Sequence, residues 1–142
     1  MRKNLCSQGC WSVIYYDKPF LTLSWEADGN VVCAEWKDKV SSEPMREGLD
    51  VGLKLVTEKQ SQRWLVDSRR LETIDPADVK WVNDNWMPRA VAAGLRSMAF
   101  VMAKKIVMQI TMKSFIARIN DRELRNAYFD NIEEARAWLR SQ

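Results

Sequence analysis

Residues 63–102 read RWLVDSRRLETIDPADVKWVNDNWMPRAVAAGLRSMAFVM, and this stretch decides the fold class. It opens with a short apolar run of strand length at residues 63–67 and closes with another at residues 96–102. A segment of helix length, residues 76–93, lies between them. Strands that alternate with helices pair in parallel through right-handed crossovers, so this unit predicts a largely parallel sheet with helices packed on it.

The helix at residues 76–93 has a clear start and an interruption. Asp75 can cap its first turn, and Pro76 fits the first helical position. Pro88 lies inside the helix, where it lacks the N–H that a helical residue donates to the carbonyl four positions earlier. The sequence therefore predicts a kink or a restart near Trp86.

The two tryptophans of this helix point in different directions. Trp86 belongs to a stripe of apolar residues with helical spacing, so we expect it in the core. Trp81 lies five residues earlier, about 140° around a helix that turns by about 100° per residue, and cannot share that stripe. Two interpretations remain for Trp81: its own fold covers it, or it is an exposed aromatic anchor for a partner.

Three strand-like runs and one helix precede this unit. The runs are rich in Val, Ile, Tyr, Phe and Trp, and turn residues separate them, so they predict an antiparallel meander. An amphipathic helix then extends from the potential caps Ser41 and Ser42 to about Gln60. The three runs lie at residues 12–16, 20–25 and 30–36.

The C-terminal part repeats the alternation. A strand at residues 124–130 leads into a last helix, which Asp130 can cap and in which Glu133 completes a capping box. The chain therefore predicts a single α/β domain, residues 1–142, with the order βββαβαβαβα and a mixed sheet of about six strands flanked by helices. We expect residues 1–10 to be a flexible extension.

Composition excludes several classes of function. The 22 basic and 19 acidic residues are mixed along the chain, so no Lys/Arg run is present to follow a nucleic-acid backbone. The absence of histidine removes the usual base of Ser-His-Asp and Cys-His enzymes, and Cys6 and Cys10 have no second pair of metal ligands. Three cysteines suit reduced thiols, and no apolar run has the length of a membrane span. We predict a cytoplasmic protein without cofactor, metal, nucleic-acid partner or membrane insertion.

The segment at residues 104–121 is apolar around more of its circumference than one buried face requires. Two stripes run along it instead of one. If the segment breaks near Thr111 into two short helices, one fold can bury both stripes. Otherwise, one stripe is a surface for self-association or for a partner. The candidate interface residues are Trp81, Ile106, Ile110 and Met112.

A polar group in the quoted stretch is the candidate binding site. Asp67 ends the first strand, where α/β sheets place ligand crevices, and the kinked helix can bring Arg89 towards it. One aspartate with several arginines would bind an anion or an acidic side chain. The simpler interpretation is that Asp67 pairs with one arginine and fixes the loop, in which Ser68 is a turn residue. The candidate binding residues are Asp67, Arg69, Arg70, Arg89 and Trp86.

The run WLVDSRRLETIDPADVKWVNDNWMPRAVAAGLRSMAFVM, followed near the end by YFDNIEEARAWL, resembles the STAS superfamily and especially its bacterial SpoIIAA-like (STAS/SEC14-like) branch. The resemblance extends from about Ser12 to the end of the chain. It implies a mixed sheet flanked by helices that serves protein interaction, regulation or small-ligand binding, and not bond-making chemistry.

In the anti-sigma-factor antagonists of that superfamily, an Asp-Ser-Ser-Gly motif opens the helix after this strand and carries the phosphorylated serine. With Asp75 placed on the aspartate of that motif, Pro76, Ala77 and Asp78 stand where Ser-Ser-Gly would be. The resemblance therefore implies a module without the phosphoacceptor, in which phosphorylation at this site should not switch partners.

Two main functions follow from these observations. The first is a non-enzymatic STAS-like regulatory module that binds another protein or forms a homodimer. The alternative is a SEC14-like binder of an apolar or lipid-like small ligand, because Met, Trp and Ile in and after the fifth strand could line a cavity on the order of a few hundred Å³. A carboxylate-dependent hydrolase is a third interpretation of the aspartates around the kinked helix.

Overall fold

The computed structural model describes residues 2–5 and 11–142, and for residues 2–5 the backbone alone. Within these residues the chain forms a seven-stranded sheet with helices on both faces. The strands are β1 (Arg2–Leu5), β2 (Trp11–Lys18), β3 (Leu21–Glu26), β4 (Val31–Val40), β5 (Arg63–Ile74), β6 (Ser97–Val101) and β7 (Arg125–Phe129). The helices are α1 (Ser42–Lys59), α2 (Pro76–Trp81), α3 (Met87–Ala92), α4 (Ile106–Ala117) and α5 (Ile132–Arg140), with a π-helical turn (Val82–Trp86) between α2 and α3.

The predicted α/β class and the order βββαβαβαβα are confirmed when α2, the π turn and α3 are taken as one kinked helix. β1 is an additional strand at the edge of the sheet. Residues 1 and 6–10 lie outside the described part of the chain, and Cys6 and Cys10 are among them. The single domain stays a prediction. The flexible extension is wrong for residues 2–5, which pair with β2, and stays a prediction for residues 1 and 6–10.

The strand order in the sheet is the order in the chain, from β1 to β7. Neighbours from β1 to β4 are antiparallel, and neighbours from β4 to β7 are parallel. The three crossovers between the parallel strands therefore step in one direction. Because such crossovers are right-handed, they place α1, the α2–α3 unit and α4 on the same face of the sheet. α5 follows the last strand and packs on the opposite face.

The larger core lies between the sheet and the crossover helices. At its centre Trp64 of β5 packs edge-on against Trp86, with 5.0 Å between the ring centroids. The indole N–H of Trp86 donates to the Leu49 carbonyl of α1 over 3.0 Å, so the sheet, α1 and the kinked helix meet at this side chain. The prediction that Trp86 is a core residue is confirmed, since it is 2% exposed.

The helix after β5 is interrupted where Pro88 predicts it. Asp75 caps α2 as expected, because its carboxylate accepts a hydrogen bond from the Ala77 N–H over 2.8 Å. Pro88 has no N–H to donate, and the chain widens into a π turn just before it, in which the N–H of Met87 reaches the carbonyl of Val82. The predicted kink is therefore a π turn.

β5 is longer than the sequence pattern indicates. It continues to Ile74, because β4 is itself long and pairs with it as far as Val40. The segment from Asp67 to Arg70, which we predicted as a strand end and a loop, is strand throughout, and that prediction is wrong. The sequence pattern misses this part of the strand because its charged residues interrupt the apolar run on which the prediction rests.

Two helix predictions also need correction. α5 is capped by Asn131 and not by Asp130, because the side-chain oxygen of Asn131 accepts hydrogen bonds from two N–H groups of the first turn. α4 continues without a break through Thr111. The interpretation that two short helices bury both apolar stripes is therefore wrong.

A buried ion pair fastens α5 to the sheet. Arg136 donates from Nε and Nη2 to the carboxylate of Glu26 on β3, over 3.0–3.1 Å. Burial acts against the charged form of Arg136, but hydrogen bonds to Glu26 raise its pKa overall. Arg136 therefore stays charged, and either member of the pair would be costly to leave without its partner.

Replacing Arg136 by methionine should lower the free energy of unfolding by about 3–5 kcal/mol, since it leaves the Glu26 carboxylate buried and unpaired. The double variant Glu26→Leu with Arg136→Met should recover most of that loss. Urea denaturation of both variants and of the wild type measures the difference. A loss below about 1 kcal/mol in the single variant would contradict the inference that this pair stabilises the contact of α5 with the sheet.

Candidate functional site

Asp67, the centre of the predicted binding group, lies on the α5 face of the sheet. It is 4% exposed, and Arg69 donates to its two carboxylate oxygens over 3.0 and 2.8 Å. These hydrogen bonds raise the pKa of Arg69. The neighbouring Cys33 thiol is buried, and burial, together with the carboxylates of Glu26 and Asp67, raises its pKa. The thiol is therefore protonated and unreactive.

Arg89 is not brought to Asp67. Side chains alternate between the two faces along β5, and Asp67 shares the face of Leu65, which packs under α5. The kinked helix lies on the other face, where Nη1 of Arg89 is 2.9 Å from a carboxylate oxygen of Asp50 on α1. The expectation that the kink joins Arg89 to Asp67 is therefore wrong.

The remaining members of the predicted binding group are also separated. Arg70 is exposed, and its Nη1 lies 3.9 Å from a carboxylate oxygen of Glu35. Trp86 is enclosed in the larger core. Of the five predicted binding residues, the structure brings together Asp67 and Arg69, which supports the simpler interpretation of Asp67 as a residue that fixes the local strand.

Trp81 is half-buried between two arginines. The guanidinium carbons of Arg46 and Arg89 lie 4.7 and 5.8 Å from the centre of its ring. Nearby, Asp78 is buried, accepts a hydrogen bond from Ser42 Oγ over 3.2 Å and lies 3.8 Å from Nη2 of Arg46. Side chains of the same chain thus cover part of Trp81, and these contacts fasten α2 to α1.

α4 carries one buried stripe and one exposed stripe. Met112 lies on the inner stripe at 8% exposure, so its assignment to the interface is wrong. Ile106, Val107 and Ile110 project outward with exposures of 72%, 70% and 64%. We call these three side chains the α4 ridge. The structure thus confirms that the second stripe is unburied in this chain.

The α4 ridge lies in a stretch without acidic residues. Residues 85–120 contain no Asp or Glu. Lys113 of α4 stands 5.6 Å over the ring of Tyr128, an exposed aromatic residue of the edge strand β7. The charged side chains of this stretch are therefore all basic, and Glu72 of β5 approaches it, since its carboxylate lies 2.9 Å from Nζ of Lys105 at the start of α4. The Lys and Arg residues of the stretch are Arg89, Arg96, Lys104, Lys105, Lys113 and Arg118.

An apolar cavity of about 100 Å³ lies in the larger core, between the sheet, α1, the α2–α3 unit and α4. No charged side chain lines it. β5 contributes Trp64, Val66 and Ser68, which follow one another at every second position on one face, and further along the strand Leu71 and Ile74. The cavity is smaller than the space of a few hundred Å³ that the sequence suggests.

Ser68 is the lining residue that sequence reasoning missed. It is 2% exposed, and its hydroxyl makes no hydrogen bond within the described part of the chain. The sequence predicts a turn residue at this position because it predicts that the strand ends at Asp67. The spacing of two residues from Val66 would have placed Ser68 on the same face, had the full length of β5 been recognised.

Among residues 2–5 and 11–142, no group of three or more His, Cys, Asp or Glu side chains could hold a metal ion. No helix in the same ranges is long and apolar enough to span a bilayer.

Comparison with known proteins identifies a family. A sequence model of the family described as SpoIIAA-like matches residues 31–140. The matched range extends from the start of β4 to the end of α5, so it includes all the parallel strands, the cavity and the α4 ridge. No curated protein and no solved structure gives a match.

Asp67→Asn should lower the free energy of unfolding by about 1–3 kcal/mol, because Arg69 loses its charged acceptor at a buried position. Arg70→Gln is the matched control on the same strand, and its exposed side chain should change stability by no more than about 0.5 kcal/mol. Urea denaturation compares the two. Equal stability of Asp67→Asn and the wild type would argue that Asp67 is kept for binding and not for the fold.

Proposed function

The chain belongs to the SpoIIAA-like family, which is of the STAS type, and we propose that it is a non-enzymatic regulatory module that acts by binding another protein. The α4 ridge carries this proposal. Its three aliphatic side chains are neighbours on one helix and are largely exposed. Covering a large aliphatic side chain is worth about 1.5–3 kcal/mol, so a partner that buries the ridge would gain substantial affinity.

Charge favours a different protein over a second copy of this chain. A two-fold contact between two α4 ridges would bring Lys104 and Lys113 towards the same residues of the other copy. Residues 85–120 contain no carboxylate to balance them, and Glu72 of β5, which does approach α4, is already paired with Lys105. A partner with an apolar groove rimmed by Asp and Glu would accept both the ridge and the lysines, in the manner of a helix bound in a groove.

We assign no bond-making chemistry and no phosphorylation switch to the module. The chain contains no histidine to act as a general base. The positions from Asp75 to Asp78 carry no hydroxyl group, and Asp78 is buried against α1. The start of α2 therefore offers no phosphate acceptor, and regulation would have to come from the partner. The free thiol of Cys33 accords with the cytoplasmic location that we propose.

The double variant Ile106→Glu with Ile110→Glu should abolish partner binding. It places two carboxylates on the ridge, and these would lose their hydration when the partner covers them. Each change should cost no more than about 0.5 kcal/mol of stability, since both side chains are exposed. Trp11→Glu is the matched control, because Trp11 is an exposed hydrophobic residue of β2 with 58% exposure. The three proteins are used as baits in lysate of the native host, and any candidate is purified and titrated against each of them by calorimetry.

Binding of the purified candidate to the wild type and to Trp11→Glu, but not to the double variant, is the expected result. Analytical ultracentrifugation over a dilution series tests for a second copy. If the wild type forms a dimer and the double variant is a monomer, the ridge serves self-association and not the binding of an acidic partner. If a candidate binds the double variant with the same affinity as the wild type, the ridge is not part of the recognition surface.

We propose the carrying of a small apolar molecule as a second candidate function. The cavity of about 100 Å³ with its uncharged lining supports it. Native mass spectrometry of the protein purified from its own host should then show a fraction with an added small mass, which is lost on denaturation. Val66→Phe, which places a larger side chain at the cavity wall, should lack that fraction. Repeated preparations without any added mass would contradict the carrier.

A further inference from the structure

The cavity in the larger core contains a hydroxyl group that the fold leaves without a partner. Two residues with hydroxyl groups line the cavity, Ser68 and Thr111. Thr111 Oγ1 donates to the Val107 carbonyl of its own helix over 3.1 Å. Ser68 Oγ has no corresponding bond in the part of the chain that the structure describes, although Ser68 is 2% exposed. Hydroxyl groups inside a protein are normally hydrogen-bonded to protein or to water, so this one is available to a molecule that enters the cavity.

The other lining residues limit the charge of that molecule. They are aliphatic, aromatic or methionine side chains, and none carries a charge. The indole N–H of Trp86 is already bonded to the carbonyl of Leu49. An ionised group would lose its hydration here without gaining an ionic partner, so the ligand must be neutral.

The volume limits the size of the molecule. The cavity of about 100 Å³ is far below the roughly 300–1,000 Å³ of sites for drug-sized ligands. An engineered apolar cavity of about 150 Å³ in another protein binds benzene, and four methionines in the present lining can adapt to a guest of that size. A long acyl chain does not fit.

We propose that this cavity binds an uncharged compound of about one ring that carries a single hydroxyl or carbonyl oxygen, and that this oxygen hydrogen-bonds to Ser68 Oγ. The proposal rests on the second candidate function and specifies its ligand class. The apolar ring fills the space between the β5 wall and the helices, while the single polar contact orients it. The acyl chain of a lipid is too large to be enclosed in this volume, and a charged amine or carboxylate would find no ionic partner in the lining.

Phenol and toluene test the proposal, because they have nearly the same shape and differ in a hydroxyl against a methyl group. Binding is followed by NMR on protein with carbon-13 in the methionine methyl groups. Four methionines line the cavity, and two others are buried in the same core without lining it, so the second group is an internal control. The lining residues are Met45, Met87, Met98 and Met112, and the controls are Met102 and Met108.

Phenol should shift the four lining methyl resonances of the wild type in a saturable way and should bind about three- to tenfold more tightly than toluene. In Ser68→Ala this preference should disappear, with toluene binding retained. Val66→Phe should bind neither compound while its near-ultraviolet circular dichroism stays that of a folded protein. That last variant separates loss of the cavity from loss of the fold.

Three results would overturn the proposal in distinguishable ways. Equal affinities of phenol and toluene in the wild type would remove Ser68 as the anchor and leave the carrier function standing. Retention of the phenol preference in Ser68→Ala would do the same. Absence of shifts at the lining methyl groups with either compound would remove both the ligand class and the carrier function.

Discussion

The handedness of the strand–helix–strand crossovers is the constraint on which the rest of this structure depends. Strands β4 to β7 follow one another across the sheet, so right-handed connections place three helical units on one face. That face acquires a deep core, with Trp64 and Trp86 at its centre and a cavity beside them. α5 packs on the opposite face, and the ion pair between Glu26 of β3 and Arg136 of α5 holds this helix against the sheet. Asp67 and Arg89 are separated by the same constraint.

Features encoded by a few adjacent residues were predictable from the sequence. The cap at Asp75, the interruption at Pro88 and the burial of Trp86 all follow from local chemistry, and together with the spacing of the strands they define the fold class. Features that depend on distant partners were not predictable. The length of β5 is set by its pairing with β4. Asp130 and Asn131 can each cap a helix, and the sequence does not decide which of them caps α5. The face on which Asp67 lies depends on the sheet as a whole.

The candidate site was predicted in part for the same reason. The two stripes of α4 are visible in the sequence, but which stripe faces the sheet depends on tertiary packing. For this reason Met112, which we predicted at an interface, lies in the core. Ser68 was missed because a serine after an apolar run usually marks a turn. Both candidate functions involve α4, since Ile110 faces out and Met112, two positions later, lines the cavity. In a close-packed core, a displacement on one side of the helix is transmitted to the other.

The agreement between strand order and chain order has a consequence for how the molecule is made. Each new strand of the sheet pairs with the one synthesised just before it, so the sheet can grow by successive local additions as the chain leaves the ribosome. The bond from Arg136 to Glu26, which joins residues 110 positions apart, belongs to α5 and cannot form until α5 has been synthesised. Until then the face that contains Val31, Cys33 and Leu65 has no cover. The nascent chain is therefore most vulnerable to aggregation at the face that α5 closes last.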